Sequence, residues 1–222
     1  MLEPLPIHFN EAAHRYQWQP TGEWLAHSVT QIKGASMADS QRAALDRTKH
    51  IWEPRGKTVH SALEAHLLGL GPVGLEPLGL GPLGLGPVGL GLEYGEWIKP
   101  LLNHPFWDQV DPVAVEYRLC DLANSIGGSC DCLLLEKSSG RYLLCDLKTQ
   151  SSLKAGCYST DCQMGGYLSM FCQHHPAIEI SECITIWSRP GKTFVTRAKP
   201  DKCLETWGAC LADFQANHLE VF

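Results

Sequence analysis

The chain has 222 residues, 44% of them hydrophobic and 19% charged, and carries a net charge of −6. That length suits a single domain, residues 1–222, which can bury a core without disulfide or metal staples; the acidic balance argues against a strong, non-specific polyanion binder. No run of about 18 apolar residues is present to cross a bilayer.

Residues 7–32 alternate like strands and predict a small antiparallel meander: Ile7-His8-Phe9, then His14 to Trp18, then Trp24 to Ile32, with turns at Asn10-Glu11 and Pro20-Thr21-Gly22. Residues 38–50 read as a helix centred on Ala43, Ala44 and Leu45. Pro54 fits the first turn of a second helix, whose buried face over 55–68 is marked by Val59, Leu63 and Leu67. Residues 69–92 repeat Gly-Leu-x-Pro-Val/Leu with period five from Gly69, Gly74, Gly79, Gly84 and Gly89. Proline at that frequency removes helix donors and glycine adds chain entropy, so an irregular insertion is expected. Closure entropy grows only logarithmically with loop length, so such an insertion is well tolerated.

A helix over 93–107 follows, with Tyr94, Trp97, Ile98 and Leu101 on one side, then a strand over Val113 to Leu119 carrying Glu116. Cys130 to Leu135 and Tyr142 to Leu147 flank a polar Lys137–Arg141 connection, the pattern of a β-hairpin. A helix over 159–173, a second hairpin (Ile178 to Trp187 and Lys192 to Arg197) around Arg189-Pro190-Gly191, and a helix over 200–217 complete the chain. The expected fold class is α+β: a central mixed β-sheet flanked by helices, with a small N-terminal β-meander.

The opening Met-Leu-Glu-Pro-Leu-Pro lacks the basic start and apolar core of a signal peptide, so the ten cysteines point to a reducing, cytoplasmic compartment. None forms a Cys-x-x-Cys pair, and Cys132, Cys145, Cys172 and Cys183 lie in apolar runs where cysteine acts as a small hydrophobe. Basic residues gather at Lys33, Arg42, Arg47, Lys49, Arg55 and Lys57, and again at Arg189, Lys192, Arg197, Lys199 and Lys202, compatible with local phosphate contacts.

The chemistry concentrates in the central hairpin. Asp131 and Asp146 each place a carboxylate in a run otherwise fit for burial, which is costly unless something pairs with it. On a strand Asp146 and Lys148 point to one side while Leu147 enters the core. Two carboxylates meeting across neighbouring strands beside an ammonium make a site for a hard cation.

Arg55-Gly56-Lys57-Thr58-Val59-His60, Glu116, Gly128-Ser129-Cys130-Asp131, Asp146-Leu147-Lys148-Thr149 and Gln163-x-x-x-Tyr167 follow one another in order. Together they resemble the RecB-like branch of the PD-(D/E)XK nuclease superfamily; His14-Arg15-Tyr16 and Ser28-Val29-Thr30 resemble, more weakly, the openings of its phage-type exonucleases. The resemblance implies a restriction-endonuclease-like fold and a Mg²⁺ or Mn²⁺ ion held by Asp131, Asp146 and the carbonyl of Leu147. His60 would be an extra ligand or a phosphate contact, Glu116 a further carboxylate to that metal or to a second ion, and Lys148 would orient water or stabilise charge on phosphate. Gln163, Tyr167, Gly56 and Arg55 would hold the substrate, DNA, with Gly56 letting another backbone approach. Relatives bearing an iron–sulfur cluster carry a cysteine before the nuclease core. Here none precedes Cys120, and no cluster is expected.

The function this implies is a metal-dependent DNA exonuclease in recombination, repair or phage DNA processing, in a bacterial or phage-infected cell. The rivals are a restriction-like or structure-specific endonuclease on the same site, and a catalytically silent DNA-binding or scaffold module.

Overall fold

The computed structural model describes residues 1–35, 37–70, 94–154 and 156–218; apart from Gly69 and Leu70, the repeat at 69–92 lies outside them. The chain opens with a three-stranded antiparallel meander, β1 (Ile7–Asn10), β2 (Arg15–Trp18) and β3 (Glu23–Trp24). It seats Ile7, Tyr16 and Leu25 against Cys120. Tyr16 packs against Gly127, where a Cβ would stand 2.6 Å from Tyr16 Cβ, Cγ and Cδ2.

The third expected strand, Trp24 to Ile32, breaks up. After β3 comes only β4 (His27–Ser28), and helix α1 (Val29–Ala35) starts at once. The reason is local: Ser28 Oγ accepts from the Gln31 N–H at 3.2 Å, an N-cap that gives a helical donor its partner. Val29 and Ile32, three apart, then turn to the core. The helix expected over 38–50 is also divided. Helix α2 (Asp39–Arg47) ends at Thr48 and α3 (Lys49–Leu67) begins beyond it, so Pro54 sits inside α3 rather than in its first turn. Helix α4 (Gly95–Leu102) stops short of residue 107, and a 3-10 turn at Trp107–Gln109 leads into the sheet.

Among the described residues the main sheet has six strands. β5 (Val110–Asp121), β6 (Ile126–Glu136) and β7 (Tyr142–Thr149) run antiparallel; β8 (Ile180–Arg189) pairs parallel with β7, and β9 (Lys192–Ala198) closes the edge antiparallel. β4 pairs parallel with the start of β6, at Ile126 and Gly127. Helices α5 (Asp161–His174) and α6 (Pro200–His218) join α1 on one face, where Val29, Leu133, Tyr167, Phe171 and Trp207 pack. On the other, α3 and α4 bury Val59, Leu63, Ile98 and Leu101 against Leu134, Leu143 and Leu147. The protein is thus α+β, a mixed sheet between helical layers with a small meander beside it.

Strand alternation fails where β5 and β6 pass Glu116 and Asp131, and that failure builds the site. Ala114 and Tyr117, three apart, belong to the same core face, as do Cys130 and Leu133; strict alternation would put each pair on opposite faces. The flanking pairs Val115↔Cys132 and Tyr117↔Cys130 set Glu116 opposite Asp131 at this kink. Glu116 has φ +47°, a left-handed backbone uncommon in a strand. β6 and β7 also part here, their last paired rung being Cys132↔Cys145.

Candidate active site

At the kink Asp131 meets His60, which α3 brings from the opposite layer: His60 Nδ1 lies 3.0 Å from Asp131 Oδ1. The other oxygen, Oδ2, accepts the backbone N–H of Leu147, a donor without a ladder partner because the two strands have separated. Leu147 itself is fully buried, as alternation required. Burial opposes charge on Asp131, yet His60, Lys148 and the Leu147 N–H together hold its pKa below the usual carboxylate value. Burial likewise opposes charge on His60, but the Asp131 carboxylate overrides it and raises the pKa to about 9.

Glu116 completes this group. One donor atom each from His60, Glu116 and Asp131 lies within 4.8 Å of the others. Burial, then the neighbouring Asp131 charge, pushes the Glu116 pKa up to about 8, and Ser129 Oγ donates to its Oε2 at 3.5 Å. Two carboxylates and an imidazole form an oxygen-rich set that suits a magnesium- or manganese-like divalent ion. A cation there would offset the crowding of Glu116 and Asp131.

Asp146 stands beside this cluster with different partners. Its Oδ1 accepts from Gln163 Nε2 at 3.0 Å, and its Oδ2 lies 2.5 Å from the Lys148 ammonium. Lys148 is the one partner of this buried oxygen among the described residues, and a carboxylate oxygen has a second lone pair that a cation could take. Burial raises the Asp146 pKa against the pull of Lys148; burial works against the Lys148 ammonium too, but Asp146 and Asp131 raise its pKa. Gln163 also donates to the Tyr167 hydroxyl at 2.8 Å, one helical turn along α5. Its Oε1 accepts from Lys33 Nζ on α1 at 3.0 Å.

The structure therefore gathers His60, Glu116, Asp131, Asp146, Lys148, Gln163 and Tyr167 into one network. It turns Arg55 inward: the residue is buried, its Nε 3.5 Å from Thr149 Oγ1 and its guanidinium 5.4 Å from the centre of the Trp97 ring. Among the described residues no backbone lies against Gly56, where a Cβ would meet Thr149 Oγ1 at an ordinary 3.9 Å. The basic clusters lose Arg189 to the interior and Cys172 proves exposed, whereas Cys132, Cys145 and Cys183 are buried. Sequence reasoning did not single out Lys33 or Ser129 for this site. Lys33 showed only as one of several basic residues, and its role follows from the α1–α5 packing.

No family model and no curated protein matches the chain. Among solved structures, the chain is similar to a protein described as a "Putative exonuclease" from Eubacterium rectale, with a TM-score of 0.54 and 12% identity over 88% of this chain and 82% of that one. The structure of SSO0001 aligns at a TM-score of 0.34 and 13% identity over 52% and 54% of the two chains, too low to carry an argument. The first likeness extends to the fold. Among the described residues no helix is long and apolar enough to cross a membrane.

Proposed function

We propose that the protein is a divalent-metal-dependent nuclease of the PD-(D/E)XK type, in its RecB-like branch, that hydrolyses DNA phosphodiester bonds from strand ends. The observation that carries this reading is the meeting of His60, Glu116 and Asp131 with the Asp146–Lys148 pair where the sheet kinks. Neither a buried ion pair nor a helical histidine alone implies chemistry, but together they supply the parts phosphodiester hydrolysis needs. The likeness to the Eubacterium rectale protein supports the fold on which the reading rests.

His60, Glu116 and Asp131 would hold Mg²⁺ or Mn²⁺, with Asp146 alongside. Such an ion supplies Lewis acidity toward a phosphoryl oxygen and lowers the pKa of bound water. The chain's own groups do the rest. Lys148, aimed by Asp146, stands ready to stabilise charge on the phosphate or orient the attacking water. Gln163, fixed by Lys33, holds Asp146 in place, and the Leu147 N–H fixes the rotamer of Asp131. Preference for ends, and service in recombination, repair or phage DNA processing, come from the family resemblance.

The test incubates linear and closed-circular DNA with Mg²⁺ or Mn²⁺, beside an Asp146→Ala control. Linear DNA should be degraded, circles spared and the variant inert. Cleavage of circles would reassign the protein as an endonuclease on the same site. Equal degradation by both proteins, or none with any divalent ion, would overturn the nuclease reading.

A further inference from the structure

The segment after β7 presents an aromatic side chain that the site above does not use. Tyr158 leaves 49% of its surface exposed, yet it is held on two sides. Its ring meets the buried Trp187 indole edge-on, centroids 5.0 Å apart and planes at 87°. The Lys33 ammonium stands over it, 5.7 Å from the ring centre.

The surrounding segment is fastened from inside by Arg189. Its Nε donates to Gln150 Oε1 at 2.6 Å and its Nη1 to the Leu153 carbonyl at 3.0 Å. Gln150 Nε2 in turn donates to the Gly156 carbonyl at 3.0 Å. Burial raises the Tyr158 pKa, with the charges of Lys148 and then Asp146 acting next, so the residue lies within electrostatic reach of that pair. Lys33 ties the assembly to the same place, because it also holds Gln163, the partner of Asp146.

A tyrosine serving only to cover Trp187 would be expected to bury most of its ring. This one keeps half its surface open while being held firmly, so a flat ligand could stack on it with little further loss of side-chain freedom. The Lys33 ammonium at the ring and Lys148 in the adjoining site offer cations to the phosphates of such a ligand. A flat ring flanked by anions describes a nucleotide within a strand. In a duplex both faces of an internal base are already stacked, so the ring can receive only an unpaired or terminal base.

We propose that Tyr158 is a stacking platform for the nucleobase next to the scissile phosphate, which makes a single-stranded or frayed end the preferred substrate. The proposal rests on the nuclease reading and names its substrate class.

The experiment measures binding of a short 5′-labelled single-stranded DNA by fluorescence anisotropy, with calcium replacing magnesium. A fully abasic strand of equal length is the control, and cleavage by the parent protein with Mg²⁺ is followed in parallel. Tyr158→Ala should weaken binding of the base-bearing strand by roughly tenfold or more and leave the abasic strand unaffected. Tyr158→Phe should stay within about twofold of the parent on both, since the ring face is unchanged. Equal losses on the two strands, no loss on either, or a Tyr158→Phe loss matching Tyr158→Ala would overturn the proposal while the parent's cleavage leaves the nuclease reading intact. A parent protein that neither binds nor cleaves would overturn both.

Discussion

Gly165 lies where α6 crosses α5, and replacing it sets two effects of known sign against each other. A Cβ there would stand 2.0 Å from the Cys203 carbonyl oxygen and 2.7 Å from Trp207 Cβ. The first neighbour is helix backbone, so no rotamer change relieves the contact. Reaching an ordinary 3.4 Å separation needs a displacement of about 1.4 Å. Moving α6 that far would loosen Cys203, Trp207 and Phe214 from Met164, Leu168 and Phe171. Helix propensity and the stiffer unfolded chain favour Gly165→Ala by about 1 kcal/mol, while overpacking costs about 1–3 kcal/mol, and more against a rigid neighbour. The clash should win, for a net loss of about 2 kcal/mol. Gly208→Ala supplies the opposite case: that glycine is exposed on α6 with nothing within 4 Å, so propensity alone should stabilise the protein by about 0.5–1 kcal/mol. Urea unfolding followed by tryptophan fluorescence and circular dichroism would measure both. Stabilisation of similar size in the two variants would refute the packing argument.

The site supplies further tests. In EDTA, melting temperature should fall as pH rises from near 6.5 to about 9. His60 gains stability from Asp131 that is fully present below its unfolded value of 6.5 and lost through its folded value of about 9. Glu116, raised from 4.5 to about 8, contributes in the same direction over the lower part of that window. Saturating Mg²⁺ should raise the melting temperature most at the alkaline end, where these groups shed protons readily, and Glu116→Gln should reduce that effect. Lys148→Ala should cut cleavage by about 10²–10³-fold without weakening the Mg²⁺ titration, because the ammonium stabilises charge rather than binding the ion. Gln163→Leu should cost about 1–3 kcal/mol in denaturant unfolding, since it removes the Oδ1 donor from a buried carboxylate.

The central hairpin was legible because its signals are local. Period-two alternation and the Lys137–Arg141 turn fixed β6 and β7, and Asp-Leu-Lys spacing alone put Asp146 and Lys148 on one side. The Gln163–Tyr167 hydrogen bond likewise follows from helical spacing. Ser28 was harder to weigh, because its capping bond turns β-like residues Val29 and Thr30 into helix. The inward turn of Arg55 depends on Trp97 and Thr149, both remote in sequence, so charge pattern alone could not reveal it. The meeting of Glu116 with Asp131 and His60 depends on a backbone kink at φ +47°, which residue type did not foretell. Lys33 reaches the site through the docking of two helices more than a hundred residues apart, which no spacing rule addresses.

The long span between α1 and its partners bears on how the protein is made. Val29 and Ile32 pack with Tyr167, Phe171 and Trp207, and Tyr16 rests on Gly127. A ribosome adding about 5–20 residues each second would leave these early apolar side chains without neighbours for on the order of ten seconds. During that interval the nascent amino-terminal segment is the part most exposed to wrong association, and chaperone capture should concentrate there until α5 emerges.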